Sequence, residues 1–142
     1  MRTEYDRPIL LVEDNPMDVD LTQRAFARHK LLNPLQVAND GEEALNILDR
    51  WRGDEPLPVV ILLDINLPKV SGLEVLRSYK SHPKIRTVPI IMLTSSAEDG
   101  DVQSAYQLGA NSYIVKPVDF DEFLKVAEHI DLYWNVINLP PR

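Results

Sequence analysis

Residues that could support phosphoryl chemistry follow four separate apolar runs of the sequence. The acidic pair Glu13-Asp14 follows the first run, and Asp64, Thr94 and Lys116 follow three later ones. Three carboxylates brought to one place would repel one another and raise each other's pKa unless a cation lay among them. Mg2+ prefers oxygen ligands and keeps several waters, so two carboxylates and one backbone carbonyl would be enough to bind it. These residue types therefore predict a Mg2+ site.

Thr94 and Lys116 add groups that could bind an anion beside the predicted Mg2+ site. Lys116 would add a positive charge beside the ion, and Thr94 would add a hydroxyl donor. A carboxylate, a metal ion and an ammonium together suit phosphoryl transfer to an Asp side chain, because the two cations neutralise charge on the phosphoryl oxygens. Asp64 is the candidate nucleophile, since it ends a predicted central strand just before the loop Ile65-Asn66-Leu67-Pro68.

Five short apolar runs, each bounded by Pro, Asp, Asn or Gly, predict the strands that position these residues. They are Ile9–Val12, Leu35–Ala38, Val59–Leu63, Ile90–Leu93 and Tyr113–Val115. Amphipathic segments with helix-start signals lie between them and predict helices. These are Val19–His29, Ala44–Trp51, Val75–Lys80, Ala97–Leu108 and Phe123 to about Ile137. Strict alternation predicts an α/β protein with a parallel sheet covered by helices on both faces.

The composition of the runs predicts their order in the sheet. The first, third and fourth are continuously hydrophobic, as strands covered on both faces must be, whereas the second contains Gln36 and the fifth is short. The second and fifth are therefore predicted edge strands of a doubly wound, flavodoxin-like (βα)5 sheet in the order 2-1-3-4-5. Ligands bind such sheets at the carboxyl ends of the strands, where the site residues are expected.

Length and charge exclude several classes of protein. The chain has 142 residues, no cysteine and a formal net charge of -7, which fit one domain without thiolate zinc sites or catalytic thiols. An acidic chain with scattered basic residues is not expected to bind nucleic acid or an anionic membrane. The apolar segments are too short for a signal peptide or a membrane span, so the sequence predicts a cytoplasmic protein.

Four motifs resemble the receiver domain of two-component response regulators, the family of the bacterial chemotaxis response regulator. They are ILLVEDNP, LLDINLPKVSGLEVL, IIMLTSSAE and GANSYIVKP. The resemblance covers about residues 7 to 130. Intervals of 50, 30 and 22 residues separate Asp14, Asp64, Thr94 and Lys116 in turn. A phosphoacceptor signalling protein is implied, which catalyses only its own Mg2+-dependent phosphotransfer and dephosphorylation.

The resemblance also implies a role for each matching residue. Asp64 resembles the phosphorylated Asp, Asp14 the direct metal ligand, and Glu13 a ligand that acts largely through water. The backbone carbonyl of Asn66 would complete the metal site, and Thr94 and Lys116 would bind the phosphoryl oxygens. Tyr113 resembles the aromatic residue that moves inward when Thr94 is drawn to the phosphate, and Lys116-Pro117 resembles the cis peptide of the family. Asn66 and Ser96 also suit turn formation and helix capping, and Tyr113 also suits an ordinary edge strand.

The end of the sequence predicts partners. Only 25 residues follow Pro117, so a single receiver domain over 1–142 without an output domain is expected, with a core of about 7–130 and a helical extension of about 130–142. Ile130, Tyr133 and Trp134 form an apolar stripe on this extension. This stripe and the opening motif EDNPMD resemble the stand-alone regulators paired with phytochrome-type histidine kinases. The resemblance implies a homodimer through the fourth helix, fifth strand and fifth helix and the C-terminal extension, with Tyr113, Tyr133 and Trp134 in the contact. The alternative is that the stripe folds back on its own domain.

Two other functions fit the fold less well. A phosphatase with a D-x-D motif needs a second carboxylate as general acid, but Asn66 occupies that position and cannot supply a proton. A flavin-binding module needs a Ser, Thr or Gly-rich phosphate loop after the first strand, where this chain has Glu13-Asp14-Asn15-Pro16. His29, His82 and His129 stand apart from one another and are predicted to be surface or packing residues.

Overall fold

The computed structural model describes residues 7–53, 55–95 and 100–130. Five strands form a single parallel sheet in the order β2-β1-β3-β4-β5, which confirms the predicted order. The strands are β1 Ile9–Val12, β2 Leu35–Ala38, β3 Val60–Asp64, β4 Ile90–Thr94 and β5 Ser112–Val115. Every residue of β1, β3 and β4 is buried, whereas β2 and β5 are partly exposed. The polar residues Asp64 and Thr94 are the last residues of their strands.

In the described part of the chain, five α-helices cover the two faces of the sheet. They are α1 Pro16–Arg28, α2 Gly41–Asn46, α3 Gly72–Ser81, α4 Gly100–Gln107 and α5 Phe120–His129. Alternate residues of each strand point to opposite faces and so build two apolar cores. Helices α2, α3 and α4 pack on one face with Leu63 and Met92, and α1 and α5 pack on the other with Leu62 and Leu93.

The core between the sheet and helices α1 and α5 is largely aromatic. The rings of Phe26, Phe120 and Phe123 lie with their centroids 5.2 to 6.0 Å apart. His29 stacks on Phe120 with the ring centroids 3.8 Å apart, so it is a packing residue as predicted. The edge-on and tilted ring arrangements are those that favour aromatic pairs beyond the area they bury.

The predicted helix Ala44–Trp51 is wrong in its geometry. The chain forms a short α-helix, Gly41–Asn46, and continues as a 3-10 helix, Ile47–Arg52. Trp51 is 1% exposed and packs edge-on against Tyr79 of α3, with the ring centroids 5.8 Å apart. Burying this large ring against α3 fixes the path of the tighter turn, which periodicity alone does not predict.

Short polar side chains cap the helices at the positions that the sequence indicates. Asn15 accepts a hydrogen bond from the Met17 N–H ahead of α1, and Ser71 accepts one from the Glu74 N–H ahead of α3. The Asp119 side chain accepts a hydrogen bond from the Asp121 N–H ahead of α5. Capping-box spacing predicts the Glu122 N–H as the donor, so the cap uses the N–H one residue nearer. Ser96 and the part of the last predicted helix beyond Ile130 lie outside the described residues.

None of the helices in these described ranges has the length and apolar content that crossing a membrane requires.

Candidate functional site

Three acidic side chains meet at the carboxyl ends of β1 and β3. Glu13, Asp14 and Asp64 each offer a carboxylate oxygen, and these oxygens all lie within 4.8 Å of one another. Glu13 and Asp64 are buried, with 1% and 2% of their surface exposed, whereas Asp14 is exposed. The group therefore has a buried side and a side that solvent can reach.

A cleft of about 540 Å³ opens beside Asp14. Its wall is the loop between β3 and α3, and it is lined by Ile65, Asn66, Leu67, Pro68, Ser71 and Leu73 together with Asp14. The cleft lies next to the exposed member of the acidic group, so it offers small ions and phosphorylated groups a path to the carboxylates.

Two hydrogen bonds fix the carboxylate of Asp64. Its Oδ1 accepts from the backbone N–H of Asn66 at 3.0 Å, and its Oδ2 accepts from the ammonium of Lys116 at 2.8 Å. Gly72 brings the start of α3 against the same strand end, where the Gly72 N–H donates to the Ile65 carbonyl at 2.9 Å. Asp64 is thus held by its own loop on one side and by Lys116, directly after β5, on the other.

Lys116 contacts three carboxylates at once. Its Nζ lies 2.7 Å from Glu13 Oε1, 2.8 Å from Asp64 Oδ2 and 3.1 Å from Asp18 Oδ2. Burial alone would lower the pKa of Lys116, but the contacts with Asp64 and Glu13 outweigh it and raise the pKa above its usual value. Lys116 is therefore a permanent cation in this site.

Asp18 is a site residue that the sequence prediction missed. It lies in the first turn of α1, four residues after Asp14, and nothing in that spacing shows that it reaches a lysine 98 positions away. The signal available in the sequence was an acidic residue in the first turn of the helix that follows the acidic strand end.

Burial is the largest influence on the pKa of Glu13. It raises the pKa of this carboxyl to about 7, because the contacts with Lys116 and the Asn15 N–H offset only part of the desolvation. Oε2 accepts a hydrogen bond from Asn15 at 3.1 Å. Oε1 lies close to Lys116 as an ion pair, but without the angles of a hydrogen bond, so it keeps an unused lone pair inside the acidic group. Such an oxygen suits a bound cation.

Thr94 and Tyr113 are on the same side of the sheet. Thr94 is completely buried at the end of β4, and its carbonyl accepts from the Lys116 N–H at 2.8 Å. Tyr113 pairs with Met92, two residues before Thr94, so both side chains point toward α4. The ring of Tyr113 is half-buried and meets the exposed ring of Tyr106 on α4 edge-on, at 6.2 Å between centroids.

The structure thus brings the predicted residues Glu13, Asp14, Asp64 and Lys116 together. Asn66 lies beside them, with its N–H directed to Asp64, and the Lys116-Pro117 peptide is cis as expected.

The sequence pattern of the response regulator receiver domain matches residues 9–128, which include all of these residues. The chain belongs to this family. Receiver domains are signalling domains of two-component systems, and the function of this chain is accordingly that of a response regulator that accepts a phosphoryl group.

Two curated relatives of this receiver domain are regulators of similar length. It is 40% identical over 134 residues to the probable methanogenesis regulatory protein FilR2 of Methanothrix harundinacea, a match that covers 94% of this chain and 86% of FilR2. It is 35% identical to the response regulator Rcp1 of Synechocystis, with 93% and 92% of the two chains covered.

Solved structures agree with the fold of this receiver domain. The bacteriophytochrome response regulator AtBRR is 45% identical, with a TM-score of 0.81 over 91% of this chain and 95% of AtBRR. The phosphorylated cyanobacterial phytochrome response regulator RcpA is 34% identical, with a TM-score of 0.71 over 91% and 94%.

Two similar structures contain a divalent ion. The Mn2+-bound form of Rcp1 is 33% identical, with a TM-score of 0.72 over 96% of this chain and 99% of Rcp1. The receiver domain of the sensor histidine kinase PA1611 of Pseudomonas aeruginosa has a magnesium ion in its active-site cleft. It is 30% identical, with a TM-score of 0.74 over 89% and 98%.

Proposed function

We propose that Asp64 accepts a phosphoryl group from the phosphohistidine of a histidine kinase, in a reaction that requires Mg2+. The observation that carries this proposal is the position of Asp64, whose carboxylate lies within an acidic group, touches Lys116 and adjoins an open cleft. One carboxylate oxygen attacks phosphorus while the bond from phosphorus to the imidazole nitrogen breaks. The imidazole keeps the electron pair and takes up a proton, and Asp64 becomes an acyl phosphate.

The acidic group has the donors that Mg2+ binding requires. Glu13, Asp14 and Asp64 supply carboxylate oxygens close to one another, and Glu13 Oε1 retains an unused lone pair. The backbone carbonyl of Asn66 is the proposed further ligand, because Asn66 lines the same cleft as Asp14. When bound, the ion would neutralise negative charge on the phosphoryl oxygens.

Lys116 and Thr94 act on the phosphoryl group. Lys116 already donates to Asp64 Oδ2, so its ammonium is within reach of a phosphoryl group carried on that carboxylate. Thr94 ends the neighbouring strand and supplies a hydroxyl donor. Thr94 ends β4 and Lys116 directly follows β5, so the sheet presents both donors where charge would develop on the phosphoryl oxygens.

Tyr113 is the residue through which phosphorylation is proposed to change the surface of the domain. It shares the α4 side of the sheet with Thr94, and a displacement of Thr94 toward the phosphate would open space into which the Tyr113 ring could turn. We place a homodimer contact on the surface of α4, β5 and α5, where Tyr106 and Tyr113 form a partly exposed aromatic pair. The extension with Tyr133 and Trp134, which we propose adds to this contact, lies outside the described residues.

The partner kinase is proposed to be of the phytochrome type. The names of AtBRR and RcpA associate both proteins with phytochromes, and each covers nine tenths or more of this chain. The family is a signalling family, so turnover of an external substrate is not part of the proposal. A cytoplasmic location belongs to it, because phosphohistidine donors are charged from ATP inside the cell.

The test is phosphorylation of the full chain by acetyl phosphate in the presence of Mg2+, followed by intact-mass measurement. The parent is expected to gain one phosphoryl group, and Asp64→Asn none. Asp20→Asn is the matched control, because Asp20 is an exposed carboxylate on α1 that pairs with Arg24 outside the site. Uptake by Asp64→Asn at the parent rate would show that another residue is the acceptor.

A further inference from the structure

Asp18 holds one of the three contacts of the Lys116 ammonium. It approaches from α1 and is 24% exposed, whereas Glu13 and Asp64 are buried at strand ends. An ammonium has three N–H donors. Lys116 donates hydrogen bonds to Asp18 and Asp64, and it lies 2.7 Å from Glu13 Oε1 as an ion pair.

The three carboxylates differ in their relation to the acidic group. Glu13 and Asp64 belong to the set of oxygens within 4.8 Å of one another, but Asp18 does not. A cation bound in that set would draw on Glu13 and Asp64, which are the same groups that Lys116 contacts. Lys116 and a divalent ion therefore compete for two of its three partners, and only the Asp18 contact is free of that competition.

We propose that Asp18 is a positioning residue, which gives the Lys116 ammonium a partner on the α1 side when a divalent ion draws on the oxygens of Glu13 and Asp64. The proposal rests on the function proposed above and deepens it. In the metal-bound protein, Asp18 is the partner that Lys116 retains, so the ammonium stays directed at the position of the phosphoryl group. Without Asp18, Glu13 and Asp64 are the carboxylates left to the ammonium, so it opposes cation binding more strongly.

The helix position of Asp18 supports this role. Asn15 caps α1 and Pro16 occupies its first turn, so the backbone that carries Asp18 is fixed directly after the acidic strand end. The Asp18 carbonyl also accepts a hydrogen bond from the buried Thr22 hydroxyl at 2.8 Å. The carboxylate is therefore presented from a constrained turn, which reduces the entropy lost in holding Lys116.

The test measures Mg2+ binding by calorimetry, without any phosphodonor, for Asp18→Asn and for the control Asp20→Asn. Both variants remove one negative charge from α1, but only Asp18 contacts Lys116. At near-physiological salt, where distant charges are screened, Asp18→Asn is expected to weaken Mg2+ binding by about fivefold or more and Asp20→Asn by less than about twofold. In a Lys116→Ala background, Asp18→Asn is expected to change the constant by less than about twofold.

Equal effects of Asp18→Asn in the parent and in the Lys116→Ala background would overturn the proposal, because Asp18 would then act only through its charge. The ammonium of Lys116, observed by nitrogen NMR and assigned by its loss in Lys116→Ala, gives a second measurement. Its signal is expected to shift in Asp18→Asn and not in Asp20→Asn, and an unchanged signal would also overturn the proposal. Neither measurement uses phosphate, so failure of Asp64 to accept phosphate would be recognised separately.

Discussion

Gly72 at the start of α3 packs directly against the backbone of Asp64 at the end of β3. A Cβ atom at position 72 would lie 2.1 Å from the Asp64 carbonyl oxygen and 2.7 Å from the Ile65 Cα. Both contacts are with backbone atoms, which cannot turn aside as a flexible side chain could. The absence of a side chain at Gly72 therefore sets how closely α3 approaches the candidate phosphoacceptor.

Gly72→Ala is expected to destabilise the fold and to displace Asp64. The overpacking should lower the free energy of unfolding by about 1–3 kcal/mol and slow phosphate uptake. Gly53→Ala is the control, because a Cβ there would meet no atom within 4 Å. Urea unfolding and intact mass after acetyl phosphate treatment measure the two effects. Equal stability of the two variants would contradict the close approach.

Lys116→Ala is expected to retain Mg2+ binding but to lose most phosphoryl-dependent switching. The lysine contacts Glu13 and Asp64, so its removal frees carboxylate oxygens for the ion. The phosphoryl group, however, loses a charged donor. Calorimetry measures Mg2+ binding, and the change of NMR spectrum on phosphorylation measures switching. Loss of Mg2+ binding in Lys116→Ala would mean that the lysine builds the metal site rather than competing with the ion.

Glu13→Gln is expected to change how stability depends on pH in the metal-free protein. Burial raises the pKa of Glu13 from 4.5 to about 7, so the folded protein binds a proton here more tightly than the unfolded chain. The stability that this proton binding contributes is fully present below pH 4.5 and is lost as the pH rises through 7. Between pH 4.5 and pH 8 in EDTA, the parent should lose roughly 2–3 kcal/mol more of its unfolding free energy than Glu13→Gln.

Urea titrations of both proteins across this range give the comparison. Glu74→Gln on the exposed surface of α3 is the control and should follow the parent. Parallel pH profiles for the parent and Glu13→Gln would show that ionising the buried Glu13 carboxyl does not destabilise the fold.

The dimer prediction concerns the aromatic surface. Truncation before Ile130, or Tyr133→Ala combined with Trp134→Ala, is expected to shift the population toward monomer and to leave phosphate uptake at Asp64 largely intact. Tyr106→Ala, which removes the partner ring of Tyr113, should act in the same direction. Sedimentation of parent and variants at matched micromolar concentrations decides the matter. A parent that is monomeric with and without phosphate would eliminate the proposed interface.

Much of the fold could be predicted because hydrophobic patterning is local. The continuous apolar runs around Leu11, Leu62 and Ile91 identified the central strands, and the polar strand ends identified the acidic site. The Asp18 to Lys116 contact could not be predicted, because it depends on how far two side chains reach between α1 and β5. The 3-10 turn after Asn46 was also beyond sequence patterning, since it follows from the packing of Trp51 against Tyr79.

The aromatic core behind the sheet has a mechanical consequence. Phe26, Phe120 and Phe123 pack against one another on the side of α1 and α5, whereas Thr94 and Tyr113 point to the opposite side. A change at Thr94 therefore repacks side chains in front of the sheet without requiring the aromatic layer to move. Helices α1 and α5 pack together through these rings, and we expect their positions to be unchanged by phosphorylation. The moving parts of this receiver domain are expected to be confined to the half that carries α4.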